Sequence, residues 1–485
     1  MSLGNDNMRS KRVLLLLYLT AFLFFLGENI QQAPRTQIYE TIICHRMLPW
    51  NSGDMPARER CKSKAVQEEL AFLKGTERVF GALPTVLVIP WSIFAERYGR
   101  CLSLKLALLG VLCEEAWSCL ICWFSDSAPI RLILLAPLFE VIGGGPAIIT
   151  TVIHLMATEV TTAETRTSTF FAIRAMAIAA AILAQLVSSF LMTLNVWMPW
   201  LLGLFCILLA VFVVPCAPNS STENSLNENT VLNPGQHNAR GMGTLSPKGS
   251  LSSKQARIRS RLVLVAKELQ EGARVVYGNF LLIVLLAMSF LGELCEDSLA
   301  MVLLLYISKR YDWEFSQANF IWALGEAVQF VFLIILLPQI SRMLLARFKM
   351  NAYAADFTIS IASTIMLSLG SLLLGLGVSI PVAIIGVILM STGGGLQSAL
   401  RSLVTMVISP DDISVVYSIF TILHVLSTSS VGPIYSGAFT LGLKFGTEYT
   451  GLPFIVASTL AGLSLPLFLF VRPRHNYEPV QEASD

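Results

Sequence analysis

Ile142-Gly143-Gly144-Gly145-Pro146 lies inside the apolar run Leu132 to Met156, and its three glycines recur as Gly393-Gly394-Gly395 inside the apolar run Val382 to Ile408. The two glycine runs stand 250 positions apart. At the same interval Arg97-Tyr98 meets Arg347-Phe348, Ser168 meets Ser418 and Phe170 meets Phe420. A second match, Phe25-Leu26-Gly27-Glu28 with Phe290-Leu291-Gly292-Glu293, is offset by 265, so the first half holds 15 additional residues between Glu28 and Arg97. The chain therefore reads as a duplicated half, with the extra length expected in the polar stretch after Pro34. In water a triple glycine marks a loop. Within hydrocarbon the backbone must stay hydrogen-bonded, so the runs Gly143, Gly144, Gly145 and Gly393, Gly394, Gly395 are read either as helix-packing faces or as hinges beside a substrate site.

Of 485 residues, 54% are hydrophobic and 14% charged, well below the quarter expected of a soluble enzyme. Apolar runs long enough to cross about 30 Å of hydrocarbon recur throughout. Twelve are expected, over 13–33, 72–94, 102–124, 130–157, 168–194 and 198–216, then 279–306, 317–340, 353–377, 380–407, 414–442 and 450–471. The predicted fold is an all-α membrane protein of 12 transmembrane helices in two pseudo-symmetric six-helix bundles. The bundles take residues 1–217 and 278–472, with a cytoplasmic linker over 218–277 and a tail over 473–485. The linker is Ser-, Asn-, Gly- and Pro-rich up to Lys254, then turns into a basic amphipathic pattern over Arg257 to Val276.

Lys11, Arg12, Arg97, Arg100, Arg342, Arg347, Lys349, Arg472 and Arg474 all fall on one side if both termini are cytoplasmic. The net charge of +2 gives no footing for nucleic acid as a partner. Most of the nine cysteines lie in or at the ends of apolar spans, where a thiol is a small apolar side chain. Cys44 and Cys61 instead flank a polar loop, and a disulfide between them would add about 3 kcal/mol and place that loop outside the cell or in a lumen. Cys119 and Cys122 form a C-x-x-C without further ligands, so no metal is expected. The first span opens like a secretory signal but lacks a small-residue cleavage site, and a retained helix is expected.

A carboxylate at mid-membrane costs at least about 2.5 kcal/mol and should face a protein or aqueous interior. Glu28 and its repeat mate Glu293 are such residues, and Glu293 shares a helix face with Glu296 or Asp297. Arg174 on the fifth span and His424 on the eleventh stand at matched positions. Glu140, Gln31, Gln397 and Arg401 complete the polar positions within spans that are candidate cavity residues. Glu114 and Glu115 adjoin in the third span and cannot face the same way.

The loop Ser92-Ile93-Phe94-Ala95-Glu96-Arg97-Tyr98-Gly99-Arg100-Cys101 resembles the G-x-x-x-D-R-x-G-R-basic loop between helices two and three of the major facilitator superfamily. It departs from that pattern at Ser92, Glu96 and Cys101, while Glu96, Arg97, Gly99 and Arg100 keep its core. Cys61-x5-Gln67-x-Glu69-Leu70-Ala71, Ile142-Gly143-Gly144-Gly145-Pro146 and Gly451-Leu452-Pro453-Phe454 are similar to a group of fungal members of that superfamily. The resemblance implies alternating access around a central cavity lined chiefly by helices one, four, seven and ten. It also implies a charge latch at Glu96, Arg97 and Arg100 that holds the cytoplasmic helix ends together.

The expected function is secondary active transport of a small organic solute. Protonation at one or more of Glu28, Glu293, Glu296 and Asp297 would couple it to a proton gradient, since a carboxyl group taken out of water can change charge within the pH range of a cell. The expectation leans to export of a small metabolite or toxic compound across the plasma membrane by a monomer. A proton-coupled nutrient importer and a non-transporting membrane sensor on the same fold are the alternatives. No catalytic His/Asp cluster stands in the sequence, so neither enzymatic activity nor a cofactor is expected. The partners expected are the solute, protons and the lipid bilayer.

Overall fold

The computed structural model describes residues 2–48, 60–161, 163–214, 276–408 and 413–471. Among these residues twelve helical rods can be followed. They are α1 (2–47), α2 (64–98), α3 (Arg100–Trp123), α4 (Ile130–Val160), α5 (Ala163–Leu194) and α6 (Trp197–Val213). The second set is α7 (Phe280–Arg310), α8 (Phe315–Ala346), α9 (Ala352–Leu376), α10 (Ile380–Val407), α11 (Ile413–Phe445) and α12 (Thr447–Val471). Eight of the described segments are long and apolar enough to cross a membrane outright. Of the others, α6 has only 17 residues, and α7 is diluted by Glu293, Glu296 and Asp297.

The packing repeats between the halves. α1 lies on α5 and α6 as α7 lies on α11 and α12, and α3 lies on α4 as α9 lies on α10. Between the halves the main contacts are α2 with α11 and α5 with α8. A two-fold exchange of the halves converts one of these pairs into the other. Large apolar side chains such as Phe190, Phe212 and Leu469 point outward, as helices bathed in lipid require.

Local chemistry sets the breaks within the rods. Asn279 caps α7 by accepting from the Leu281 and Leu282 amides at 3.1 and 3.4 Å, and Asn351 caps α9 through Ala354 at 2.8 Å. Leu83–Leu87 is a 3₁₀ turn around Pro84, and α8 carries a π-turn at Phe332–Leu336 just before Pro338. α1 does not end near Pro34. It breaks at Gln31 and resumes as Gln32–Met47. Pro34 falls in the first turn of that second segment, where a missing N–H removes no helical bond. Much of the extra length in the first half is therefore helix, and α2 starts at Lys64, earlier than the expected 72.

The two glycine runs share one use and differ in another. A Cβ on Gly143 would lie 2.2 Å from the Ala107 backbone of α3, and one on Gly393 would lie 2.4 Å from Leu367 of α9, the repeat mate of α3. Both are close-packing faces. Only the first run interrupts its helix: Gly144 and Gly145 take φ of +83° and +70°, between the short helix Pro137–Glu140 and Gly145–Val160. Gly393–Gly395 is a single 3₁₀ turn that leaves α10 in line. The linker 218–277 up to residue 275, and the tail 473–485, lie outside the described residues.

Candidate functional site

In the first bundle the break in α1 brings a charged cluster into the interior. Arg35 meets Glu115 of α3 at 2.8 Å and Glu77 of α2 at 3.8 Å. Glu77 is also held by Lys74 at 3.2 Å and by the Tyr39 hydroxyl, which donates at 3.3 Å. Glu115 accepts from the Trp200 indole at 3.3 Å. Glu28 lies one helical stretch below Arg35, where the charges acting on it are those of Glu115, Arg35 and Arg78. Glu114 lies close enough to Glu140 for the two carboxyls to act on each other. The adjacent pair Glu114 and Glu115 is thus divided between two neighbours.

In the second bundle α7 brings its three carboxylates to the middle of the molecule. Glu293 lies 4.0 Å from Arg401 of α10 and 3.5 Å from Nδ1 of His424 on α11. Its own side chain is 8% exposed, whereas those of Arg401 and His424 are 45% and 59% exposed, so a recessed acid stands behind an accessible guanidinium and an accessible imidazole. Asp297 feels Arg78 of α2 and His424, and Glu326 of α8 feels Arg174 of α5. Arg78 therefore acts on a carboxylate in each half.

Other expected positions are dispersed. Gln31 is buried against Gly203 of α6 and donates to the Gly27 carbonyl at 2.7 Å, so it packs α1 on α6 and does not face a cavity. Gln397 ties α10 to α7, donating to the Ser289 carbonyl at 3.0 Å and accepting from its hydroxyl at 2.7 Å. Trp91 and Trp117 donate to the Val141 and Leu132 carbonyls.

The loop between α2 and α3 turns at Gly99, with φ of +100°. Arg100 reaches Glu159 of α4 at 2.9 Å and donates to the Leu155 carbonyl at 2.7 Å, a tie within the first bundle. Arg97 is exposed beside the Tyr98 ring, and the Glu96 side chain lies outside the described residues. Cys44 and Cys61 are joined in a disulfide.

That disulfide marks the end where the bundles meet. Lys62 pairs with Glu40 at 2.9 Å, donates to the Ser308 hydroxyl, and sits 4.4 Å above the Phe315 ring, while Lys309 donates to the Lys62 carbonyl. Asn319 of α8 donates to the Gln185 carbonyl and the Ser189 hydroxyl of α5 at 2.9 and 3.0 Å. Gly75 and Gly432 bring the backbones of α2 and α11 together, where a Cβ on Gly432 would meet the Gly75 carbonyl oxygen at 2.2 Å.

Twelve rods in two bundles related by an exchange, with carboxylates recessed between them, narrow the possibilities, and the sequence profile of the Major Facilitator Superfamily matches residues 78–429. The chain belongs to this superfamily. The efflux pump atnC of Emericella nidulans is 27% identical over 472 residues, 94% of this chain and 86% of that protein. The efflux pump ustT of Aspergillus flavus is 26% identical over 438 residues, 88% and 82% of the two chains. Among solved structures a D-xylose–proton symporter overlays with a TM-score of 0.65 at 12% identity, over 95% of this chain and 97% of that one. The nucleoside transporter NupG overlays at 0.61 with 11% identity, over 95% and 100%. At such identities the overlays show the fold alone. The protein is accordingly an integral multi-pass membrane protein and a transporter of the major facilitator type.

Several members of the site escape a reading of the sequence. Arg35 and Tyr39 fall in a stretch that reads as loop because Pro34 precedes it. Lys74 and Glu77, three apart beside Arg78 in the second span, carried a usable signal: an i, i+3 ion pair within an expected membrane span. Glu326 stood alone in the eighth span and offered the same signal as Glu28.

Proposed function

We propose that the protein is a proton-coupled secondary transporter that exports a small organic metabolite or toxic compound across the plasma membrane. The observation that carries this reading is Glu293, recessed on α7 behind the exposed Arg401 and His424. A carboxylate whose counter-charges are themselves open to solvent can exchange them for a proton or a solute when the bundles rock, which is what coupling by alternating access requires. Glu28, Glu296 and Asp297 extend the same chemistry, and Arg174, Gln397 and Arg401 are the candidate solute contacts. The two named efflux pumps favour export. With both termini cytoplasmic, the disulfide end is extracellular, and the contacts through Lys62 and Asn319 hold the outer side together.

The test is an untargeted comparison of metabolites in cells and medium, with the protein intact, deleted, and carrying Glu28→Gln with Glu293→Gln. Export predicts a compound trapped inside deleted cells, and a failed double variant that reproduces the deletion. A compound left unconsumed in the medium of deleted cells would instead establish import. A double variant that behaves as the intact protein would remove the coupling role from these carboxylates.

A further inference from the structure

Off the centre of the molecule a cavity of about 190 Å³ runs into the second bundle between α7, α8 and α10. Its polar lining includes Glu296, Asp297, Glu326 and Gln329, with Trp322 on one wall and Gly394 on another. Oε1 of Glu296 and Oδ2 of Asp297 are buried and have no hydrogen-bond partner among the described residues. Glu326 accepts from the Trp322 indole at 3.2 Å, so that donor is already committed. Three carboxylates thus share a space into which no lysine, arginine or histidine of the lining projects.

The cations nearby stand outside this lining. Arg401 and His424 face Glu293, Arg78 and His424 act on Asp297, and Arg174 acts on Glu326. Glu296 forms no ion pair with any of them among the described residues, and its neighbours Asp297 and Glu293 on α7 carry like charges. A buried carboxylate oxygen without a partner calls for a positive group or a donor. The volume is below that of a whole drug-sized site, so it suits one arm of a ligand.

We infer that this side cavity receives the protonated amine arm of the transported solute, with Glu296 as its counter-ion, so that the solute class is organic amines. The assignment rests on the reading of the protein as a transporter, and it adds the chemistry of the cargo. The rest of the solute lies in the space between the bundles, beside Arg174 and Arg401. A proton and an ammonium group would then compete for Glu296, and occupancy by one excludes the other.

The purified full-length protein in detergent tests this by thermal-shift titration. The probes are phenethylamine, tryptamine and agmatine, each against the matched compound with a hydroxyl or carboxylate in place of the amine. At least one amine should bind about tenfold or more tightly than its hydroxyl counterpart, and Glu296→Gln should bring the two together. Equal or tighter binding of the alcohols or acids, binding by none of the amines, or an amine preference that survives Glu296→Gln overturns the inference. A second measurement stands if that variant folds poorly. In Ala300→Cys, at the exposed rim of the cavity, an ammonium methanethiosulfonate should label faster than a sulfonate one by more than their ratio on free cysteine. A ratio equal to or below that of free cysteine overturns it too. Amine binding without any proton movement in proteoliposomes would leave the cavity assignment in place and remove the coupling. Proton-linked flux of an acidic or neutral solute, with no amine bound, would do the reverse.

Discussion

Replacing Arg35 by methionine tests whether the charged cluster of the first bundle is a structural unit. Arg35 and Glu115 are 15% and 6% exposed and 2.8 Å apart. Among the described residues, removing the arginine leaves Glu115 with the Trp200 indole, and Glu77 with Lys74 and Tyr39. Breaking one side of a buried pair costs about 3–5 kcal/mol, because a carboxylate stays behind in low dielectric. The residual exposure of Arg35 argues for the lower end, about 3 kcal/mol. The internal control is Arg131 with Glu69, an ion pair of nearly equal length, 2.9 Å, but with side chains 65% and 26% exposed. Its loss should change stability by no more than about 1 kcal/mol. Measured as the temperature at which the detergent-solubilised protein loses its monodisperse peak, Arg35→Met should fall by roughly 3 °C and Arg131→Met by no more than about 1 °C. Arg35→Met combined with Glu115→Leu should recover most of the loss, since an apolar pair of similar volume can replace a buried ion pair. If Arg35→Met shifts no further than Arg131→Met, the cluster is solvated and its burial carries no energetic weight.

Lys62→Ala removes the side-chain ties from the disulfide-bearing segment to Glu40, Ser308 and Phe315. It should raise the labelling rate of Asn319→Cys by an external membrane-impermeant reagent several-fold, and an unchanged rate would show that the close approach of α2 and α11 at Gly75 and Gly432 keeps the site closed without either tie. Gly144→Ala places a side chain at φ +83° and 2.8 Å from the Trp91 ring, and should destabilise by at least about 1–2 kcal/mol. Gly394→Ala meets only the flexible end of Gln329 at 2.7 Å, so it should be tolerated; equal loss in the two variants would mean that the runs are used alike.

The duplication and its consequence, twelve helices in two exchangeable sets, were legible from matched residues because each apolar span must be helical once its backbone leaves water. Glu28, Glu293, Glu296 and Asp297 were legible for a related reason. A charge in hydrocarbon is too unfavourable to be retained without an interior to face, so its presence in a span locates that interior.

Pairing was not legible. That Glu293 would meet Arg401 and His424, or Arg35 would meet Glu115, depends on which faces of neighbouring helices oppose one another, and residues 80 or more apart carry no periodic signal of it. The polarity of the segment after Pro34 pointed to a loop, yet burial against α2 and α5 makes part of it helix. The glycine runs state the division most directly. The sequence alone established that they are paired and stripped of side chains. Only the tertiary structure decided that one breaks its helix while the other stays in line. The reason is that glycine permits both conformations at similar energy, so the neighbours choose: Trp91 and Glu140 crowd Gly144 and Gly145, while Gln329 and Phe332 lie beside Gly394 and Gly395.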